Sequence, residues 1–200
     1  MAGISPDEQS VFLNVPYDYG YERSFIALIS ALVSLGRKPR CVLEIHERGQ
    51  GRLKRLIDLL ASSRISIHDL SRVGVPVRFN LPFELGLACA LSAYGGEHDF
   101  VIMEKERHRL DRTLSDLKGQ DPYIHEGKPR ILISCVLDAL GNEGTEPDPR
   151  EVYGLWKNLW VLAVSLKKQH GRRDIFNRLI FHKLVAAATE LASKAGFITP

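Results

Sequence analysis

Short apolar runs alternate with longer stretches of helical spacing along the first hundred positions. Val11–Val15 (VFLNV) is such a run, ends at Pro16, and predicts a buried first strand. Phe25, Leu28, Ile29, Leu32 and Leu35 then recur at helical spacing, with Gly36 as the stop. Cys41–Leu43 predicts a second strand ending near Glu44. Gly51–Leu60 predicts a helix with Leu53, Leu56, Ile57 and Leu60 on one face. Ile65–Ile67 reads as a third strand, Pro82 to about Ala93 as a third helix and Phe100–Met103 as a fourth strand. Apolar strands alternating with helices call for a parallel sheet covered on both faces.

The pattern changes after Met103. A charged stretch, Lys105–Arg112, leads into the polar segment Ser115–Gly127 (SDLKGQDPYIHEG), which reads as a loop. Ile131–Leu140 predicts another helix, and Gly141–Pro149 has linker composition. Val152, Leu155, Trp156 and Leu159 form one further stripe, and Ile175, Phe176, Leu179 and Ile180 begin a second. Together they predict a helical hairpin with a basic joint at Lys167–Arg173. The expected organisation is an α/β domain over residues 1–140 and a helical extension over 150–200. That extension would pack on the domain or on a partner; Trp156 and Trp160, if exposed, would favour a partner protein or a homo-oligomer.

Composition narrows the classes. Hydrophobic residues make up 44% and charged residues 26% of 200 positions, ordinary proportions for one globular core. A net charge of +3 suits an anionic small molecule and falls short of the dense basic face of a nucleic-acid binder. Cys41, Cys89 and Cys135 are odd in number and embedded in apolar runs, so no disulfide framework or zinc spacing is expected, and a reducing compartment fits. No apolar run approaches the roughly 18 residues of a membrane span, and the first ten residues have no signal-like core. The expectation is a cytoplasmic protein without membrane or metal.

Candidate chemistry gathers where strands end, because ligands of open parallel sheets sit beyond the carboxyl ends of the strands. Polar clusters fall there at Asn14–Asp18, Glu44, His68–Arg72 and Glu104. Glu84, in RFNLPFELGLA, stands near the start of a helix begun by Pro82, in a setting apolar enough to bury it. A buried carboxylate needs a reason. Asp69 and Asn80 could position a ribose, and Arg72 or Arg78 hold a phosphate, with His68 nearby. The bland alternatives are a dipole-complementing Glu84, an Asx turn at Asp69 and a solvated Arg72. Tyr17 could stack on a base or cap the core, with Asp18 beside it. Asp116, Asp121, Tyr123 and His125 would fold over the rim or form a solvated loop. Dinucleotide-fold and P-loop glycine motifs are absent from the sequence, as are HExxH and nucleophile-elbow motifs.

Taken together, NVPYD, SIHDLSR, RFNLPFELGLA and SDLKGQDPYIH resemble bacterial TIR-like nucleotide-binding proteins and, more remotely, the nucleoside 2-deoxyribosyltransferase-like fold, over about Val11 to Leu140. The resemblance implies a flavodoxin-like or TIR-like parallel sheet flanked by helices, with the C-terminal helices lying outside it. In both groups a glutamate at the start of such a helix is the catalytic residue, and that position matches Glu84. Bacterial TIR-like enzymes cleave the nicotinamide glycosidic bond of NAD, often in antiphage defence. The implied activity is N-glycosidic cleavage or ribosyl transfer, with NAD or a related nucleotide as substrate and no cofactor. The alternative is a non-catalytic module that binds a nucleotide or a partner and assembles.

Overall fold

The computed structural model describes residues 6–45, 51–72, 78–95, 97–142 and 144–199. Among them the chain forms, in order, β1 (Asp7–Asn14), α1 (Glu22–Ser34), β2 (Lys38–Cys41), α2 (Arg52–Ala61), β3 (Ser63–Asp69), α3 (Asn80–Gly95), β4 (Asp99–Glu104), α4 (Leu110–Thr113), β5 (Tyr123–Ile124), α5 (Pro129–Leu140), α6 (Pro149–Gln169) and α7 (Arg178–Lys194). The strands make one parallel sheet, in the flavodoxin-like order β2-β1-β3-β4-β5, flanked by helices. None of the described helices is long and apolar enough to cross a membrane.

The first strand begins earlier than expected, at Asp7; Ile175 and Phe176 precede α7; and two further differences bear on the sheet. The second strand ends at Cys41, and Val42–Glu44 forms a 3-10 turn. The Glu44 carboxylate closes that turn by accepting the Cys41 N–H at 2.8 Å, while Arg40 Nε donates to both of its oxygens at 3.0 and 3.1 Å. The polar segment after β4, expected as loop, contains β5. This strand is two residues long, with Tyr123 opposite Met103 and Ile124 opposite Glu104. Two residues are too few to show any periodicity.

The chain divides into two compact units, residues 1–16 with 40–124, and residues 17–39 with 125–200. The division runs through the β1–α1 loop and β2 and falls after β5, so α1 and α5 join the C-terminal helices.

In the first unit, Phe12 packs with Leu56, Leu59 and Leu60 of α2 and Ala88 of α3. Leu70, Leu81, Leu85, Ile102 and Leu110 form a neighbouring cluster. Strand alternation puts Phe12 and Asn14 on the α2–α3 face, in register with Ser66 and His68 of β3.

In the second unit, α1 packs against α5, α6 and α7. Tyr17, Phe25, Phe176 and Phe181 form a ring cluster, with Tyr17 edge-on to Phe25 and Phe176 at centroid distances of 6.1 and 5.6 Å. Trp156 is buried, donates Nε1–H to the Arg23 carbonyl at 3.0 Å and stacks with Tyr153 and the half-buried Trp160. These indoles therefore do not form an open aromatic surface.

Lys167, in the basic joint, has a structural partner. Its Nζ lies 2.8 and 3.0 Å from the two oxygens of Glu22, the first residue of α1, and Glu22 also accepts the Ile175 N–H at 3.1 Å. Glu22 is 2% exposed, and removing one partner of a buried pair leaves the other charge uncompensated. Glu22→Ala should therefore lower the unfolding free energy by about 3–5 kcal/mol, read by urea denaturation. A loss below about 1 kcal/mol would mean that the pair is solvated and not structural.

Candidate functional site

Strand order reverses between β1 and β3, since the chain leaves β1 for β2 on one side and returns to β3 on the other. At such a switch point the loops diverge, leaving a crevice beyond the carboxyl ends of the strands. Asn14 and His68 are register partners there, and both are buried.

Asn14 Nδ2 lies 2.9 Å from the Leu81 carbonyl and 2.8 Å from His68 Nδ1. A carbonyl can only accept, so the amide nitrogen must face it, and both of its hydrogens are then engaged. His68 Nδ1 is therefore an acceptor and its proton sits on Nε2, which donates to Ser66 Oγ at 2.8 Å. Ser66 passes its own hydrogen to His98 Nε2 at 2.8 Å, and His98 Nδ1–H ends the chain on the Ser63 carbonyl at 2.9 Å. Backbone carbonyls at both ends thus fix two histidine tautomers and one amide orientation. Burial, helped by His98, pushes the His68 imidazole down to about 3, and burial also lowers His98. A cationic His68 would turn an N–H towards the Asn14 N–H. One acceptor is left over: among the described residues Asn14 Oδ1 is buried without a hydrogen-bond partner, and a group in that state costs about 1–3 kcal/mol.

Leu81 belongs to the first turn of α3, and Glu84 follows it by three residues. Glu84 is 8% exposed, buried as its apolar setting predicts. Burial pushes its carboxyl up to about 7, against the smaller opposing pulls of a hydrogen bond from Asn80 and of the Arg52 guanidinium. A carboxyl in this state changes charge near neutrality.

Arg72 and Arg78 line one cavity of about 410 Å3, together with Leu70, Phe79, Leu81 and Pro82. Its walls are mostly apolar, with two guanidiniums among them and an aromatic ring that is 76% exposed. Such a combination can take an anionic headgroup on a flat apolar body. Glu84 is not among the residues lining this cavity. Asp69 is fully buried and accepts the Ser71 N–H at 2.8 Å, the Asx turn expected as its bland alternative. Asp121 lines a separate cavity of about 230 Å3 beside Arg107 and His108. Asp116 is exposed in the 3-10 turn Ser115–Leu117, and Tyr123 is half-buried in β5.

Tyr17, Asp18 and His125 belong to the second unit. The Tyr17 ring lies against Phe25 and Phe176, Asp18 precedes the 3-10 turn Tyr19–Tyr21, and buried His125 accepts the Gly127 N–H on Nδ1 at 3.0 Å. Glu104, at the end of β4, is held by buried Arg109, which also donates to the Leu70 carbonyl at 3.1 Å. No group of three or more His, Cys, Asp or Glu among the described residues is placed to hold a metal ion.

The sequence pattern assigns no role to Asn14, Ser66, His98 or Phe79. The signal for the first two was the spacing of Ser66 and His68, two apart in a strand, opposite a strand that ends in Asn. No family model and no curated protein matches the chain.

The neutral His68 sets an acid limit on stability. Below its ordinary pKa of 6.5 the unfolded chain takes up a proton that the folded chain refuses down to about 3. Stability from this group is complete above pH 6.5 and is lost as pH falls towards 3, by on the order of 3–5 kcal/mol. His68→Gln should flatten this acid slope in denaturation curves collected between pH 7 and pH 4. An unchanged slope would place the His68 proton elsewhere.

Proposed function

We propose that this protein cleaves the N-glycosidic bond of a nucleotide, with NAD or a related nucleotide as substrate and Glu84 as the catalytic carboxyl. The observation that carries this reading is the buried Glu84, pushed up to about 7, beside Asn80 near the start of α3. N-glycosidic bonds break through an oxocarbenium-like state, which a carboxylate beside the anomeric carbon stabilises or captures. Little solvent screens Glu84, so its anion would act strongly on such a charge. Arg72 and Arg78 supply cations for phosphate and Phe79 a face for a base. Bacterial antiphage defence is the context that the resemblance to TIR-like enzymes suggests, and a cytoplasmic setting fits the free cysteines.

A non-catalytic nucleotide-binding module is the second reading. It is favoured by one observation, that the Arg72–Arg78 cavity is formed without Glu84. Incubation with NAD and with nucleoside monophosphates, followed by chromatography for released base, separates the two. Release by the wild type and its loss by about a hundred- to thousandfold in Glu84→Gln supports catalysis. Binding without release supports the module.

If the ionised carboxyl is the active form, kcat/KM should rise about tenfold per pH unit up to about 7 and level off above it. A profile flat across pH 5.5–8.5 would remove Glu84 from the mechanism.

The same variant reports on stability. The folded chain keeps the Glu84 proton up to about 7, whereas the unfolded chain gives it up near 4.5. Stability therefore falls as pH rises through this window, by roughly 2–4 kcal/mol. Glu84→Gln, which carries no charge, should melt above the wild type at pH 8 and alongside it at pH 4. Equal melting at both would mean that Glu84 is solvated.

A further inference from the structure

The leftover acceptor at the switch point is distinct from Glu84 and from the residues that line the Arg72–Arg78 cavity. Asn14 is 1% exposed, and both hydrogens of its amide are engaged by the Leu81 carbonyl and His68. The His68–Ser66–His98 chain behind it ends on a backbone carbonyl, so the amide cannot turn over to bring its oxygen to a partner without facing Leu81 oxygen to oxygen. Asn14 Oδ1 is thus held in place with no donor among the described residues. The atom lies where the strand order reverses, the place at which open parallel sheets receive ligands. Leu81, whose carbonyl holds the Asn14 amide, also lines the Arg72–Arg78 cavity.

We propose that Asn14 is a ligand-recognition residue whose Oδ1 accepts a hydrogen bond from a hydroxyl or exocyclic amine of the nucleotide bound beside Leu81. The inference rests on the reading of the ligand as a nucleotide and is independent of whether that nucleotide is cleaved. A cavity of about 410 Å3 is of the size that holds a drug-sized molecule, and a mononucleotide is one. Arg72 and Arg78 meet its phosphate, and Phe79 its base. Asn14 then meets a donor of the ribose or the base. Because Oδ1 is closed to water, the donor reaches it by displacing the first turn of α3 at Asn80–Leu81. The amide stays oriented from the other end, because the chain fixed at the Ser63 carbonyl keeps an Asn14 N–H on His68 Nδ1; Oδ1 therefore remains an acceptor, and a ligand lacking the matching donor leaves it unsatisfied.

The test is a protein-by-ligand cycle read by calorimetric titration on the full chain. The ligands are adenosine 5′-monophosphate, its 2′-deoxy and 3′-deoxy analogues, and inosine 5′-monophosphate, which lacks the exocyclic amine. The proteins are the wild type and Asn14→Ala. The wild type should bind one analogue about ten- to hundredfold more weakly than adenosine 5′-monophosphate, and that analogue identifies the donor. Asn14→Ala should bind the matched pair equally, whereas loss of a merely structural residue would weaken both ligands alike and preserve their ratio. No discrimination by the wild type, or the same ratio in the variant, overturns the proposal. If Asn14→Ala does not fold, the Asn14 side-chain carbonyl carbon resonance decides. It should move when the full nucleotide binds the wild type and stay still with the discriminated analogue, and equal movement with both overturns the proposal. Discrimination that disappears in the variant, without base release, would retain Asn14 and end the catalytic reading. Failure of the wild type to bind any of the four would overturn this proposal and the nucleotide reading together.

Discussion

Much of the first unit depends on a constraint that is small in itself: the Leu81 carbonyl can only accept, and it faces Asn14. From that contact the amide orientation follows, then the His68 tautomer, the Ser66 hydroxyl direction and the His98 tautomer, up to the Ser63 carbonyl. Every member lies in an interior where an unmet polar group is expensive, so the chain is stable only when all its bonds point one way. The polar column runs along the α2–α3 face of the sheet, beside apolar clusters that could otherwise slide. It ties the end of β1 to the first turn of α3, and so fixes where Glu84 enters.

Among the described residues, the buried glutamates separate into two kinds by what faces them. Glu22 meets Lys167 and a backbone N–H, and Glu104 meets Arg109 and the Lys105 N–H. In both, charge is met by charge and the geometry holds chain segments together. Glu84 has an amide neighbour, and the cation acting on it, Arg52, lies on the exposed side of α2. Burial outweighs both pulls, so this carboxyl is pushed upward. An acid whose desolvation is not offset by the fold is suited to a charge that arrives from outside.

The architecture was legible because the central parallel strands carry short apolar runs and the helices periodic ones, a contrast clear at Val11–Leu13, Ile65–Ile67 and Phe100–Met103. It failed where a local polar contact decided the backbone. At Val42–Glu44 apolar side chains suggest strand, but the Glu44 carboxylate draws the chain into a turn. At Tyr123–Ile124 the pairing comes from β4 rather than from any pattern in the segment. Glu84 could be singled out because an acid among Leu, Gly and Ala breaks the apolar pattern. The histidine chain could not, because it joins residues 14, 66, 68 and 98, and only strand register brings these into line. Tyr17 stood equally well for a base platform or a core cap, and the rings of Phe25 and Phe176 that it meets are supplied from far along the sequence.

The separation between the Arg72–Arg78 cavity and Glu84 bears on how the rim could work. Both are set by α3: Arg78, Phe79, Leu81 and Pro82 present one side of its beginning to the cavity, while Asn80 and Glu84 turn elsewhere. A single displacement of that first turn would therefore change the cavity wall, the Asn14 contact and the surroundings of Glu84 together. Glu84 is near the midpoint of its titration at neutral pH, so a modest change in its solvation or in nearby charge is enough to settle its protonation state. A cationic group brought close would favour the anion, and tighter burial the neutral acid. Ligand contact with the turn and ionisation of Glu84 are in this way linked equilibria, in which anything that binds one ionisation state more tightly draws the carboxyl towards that state.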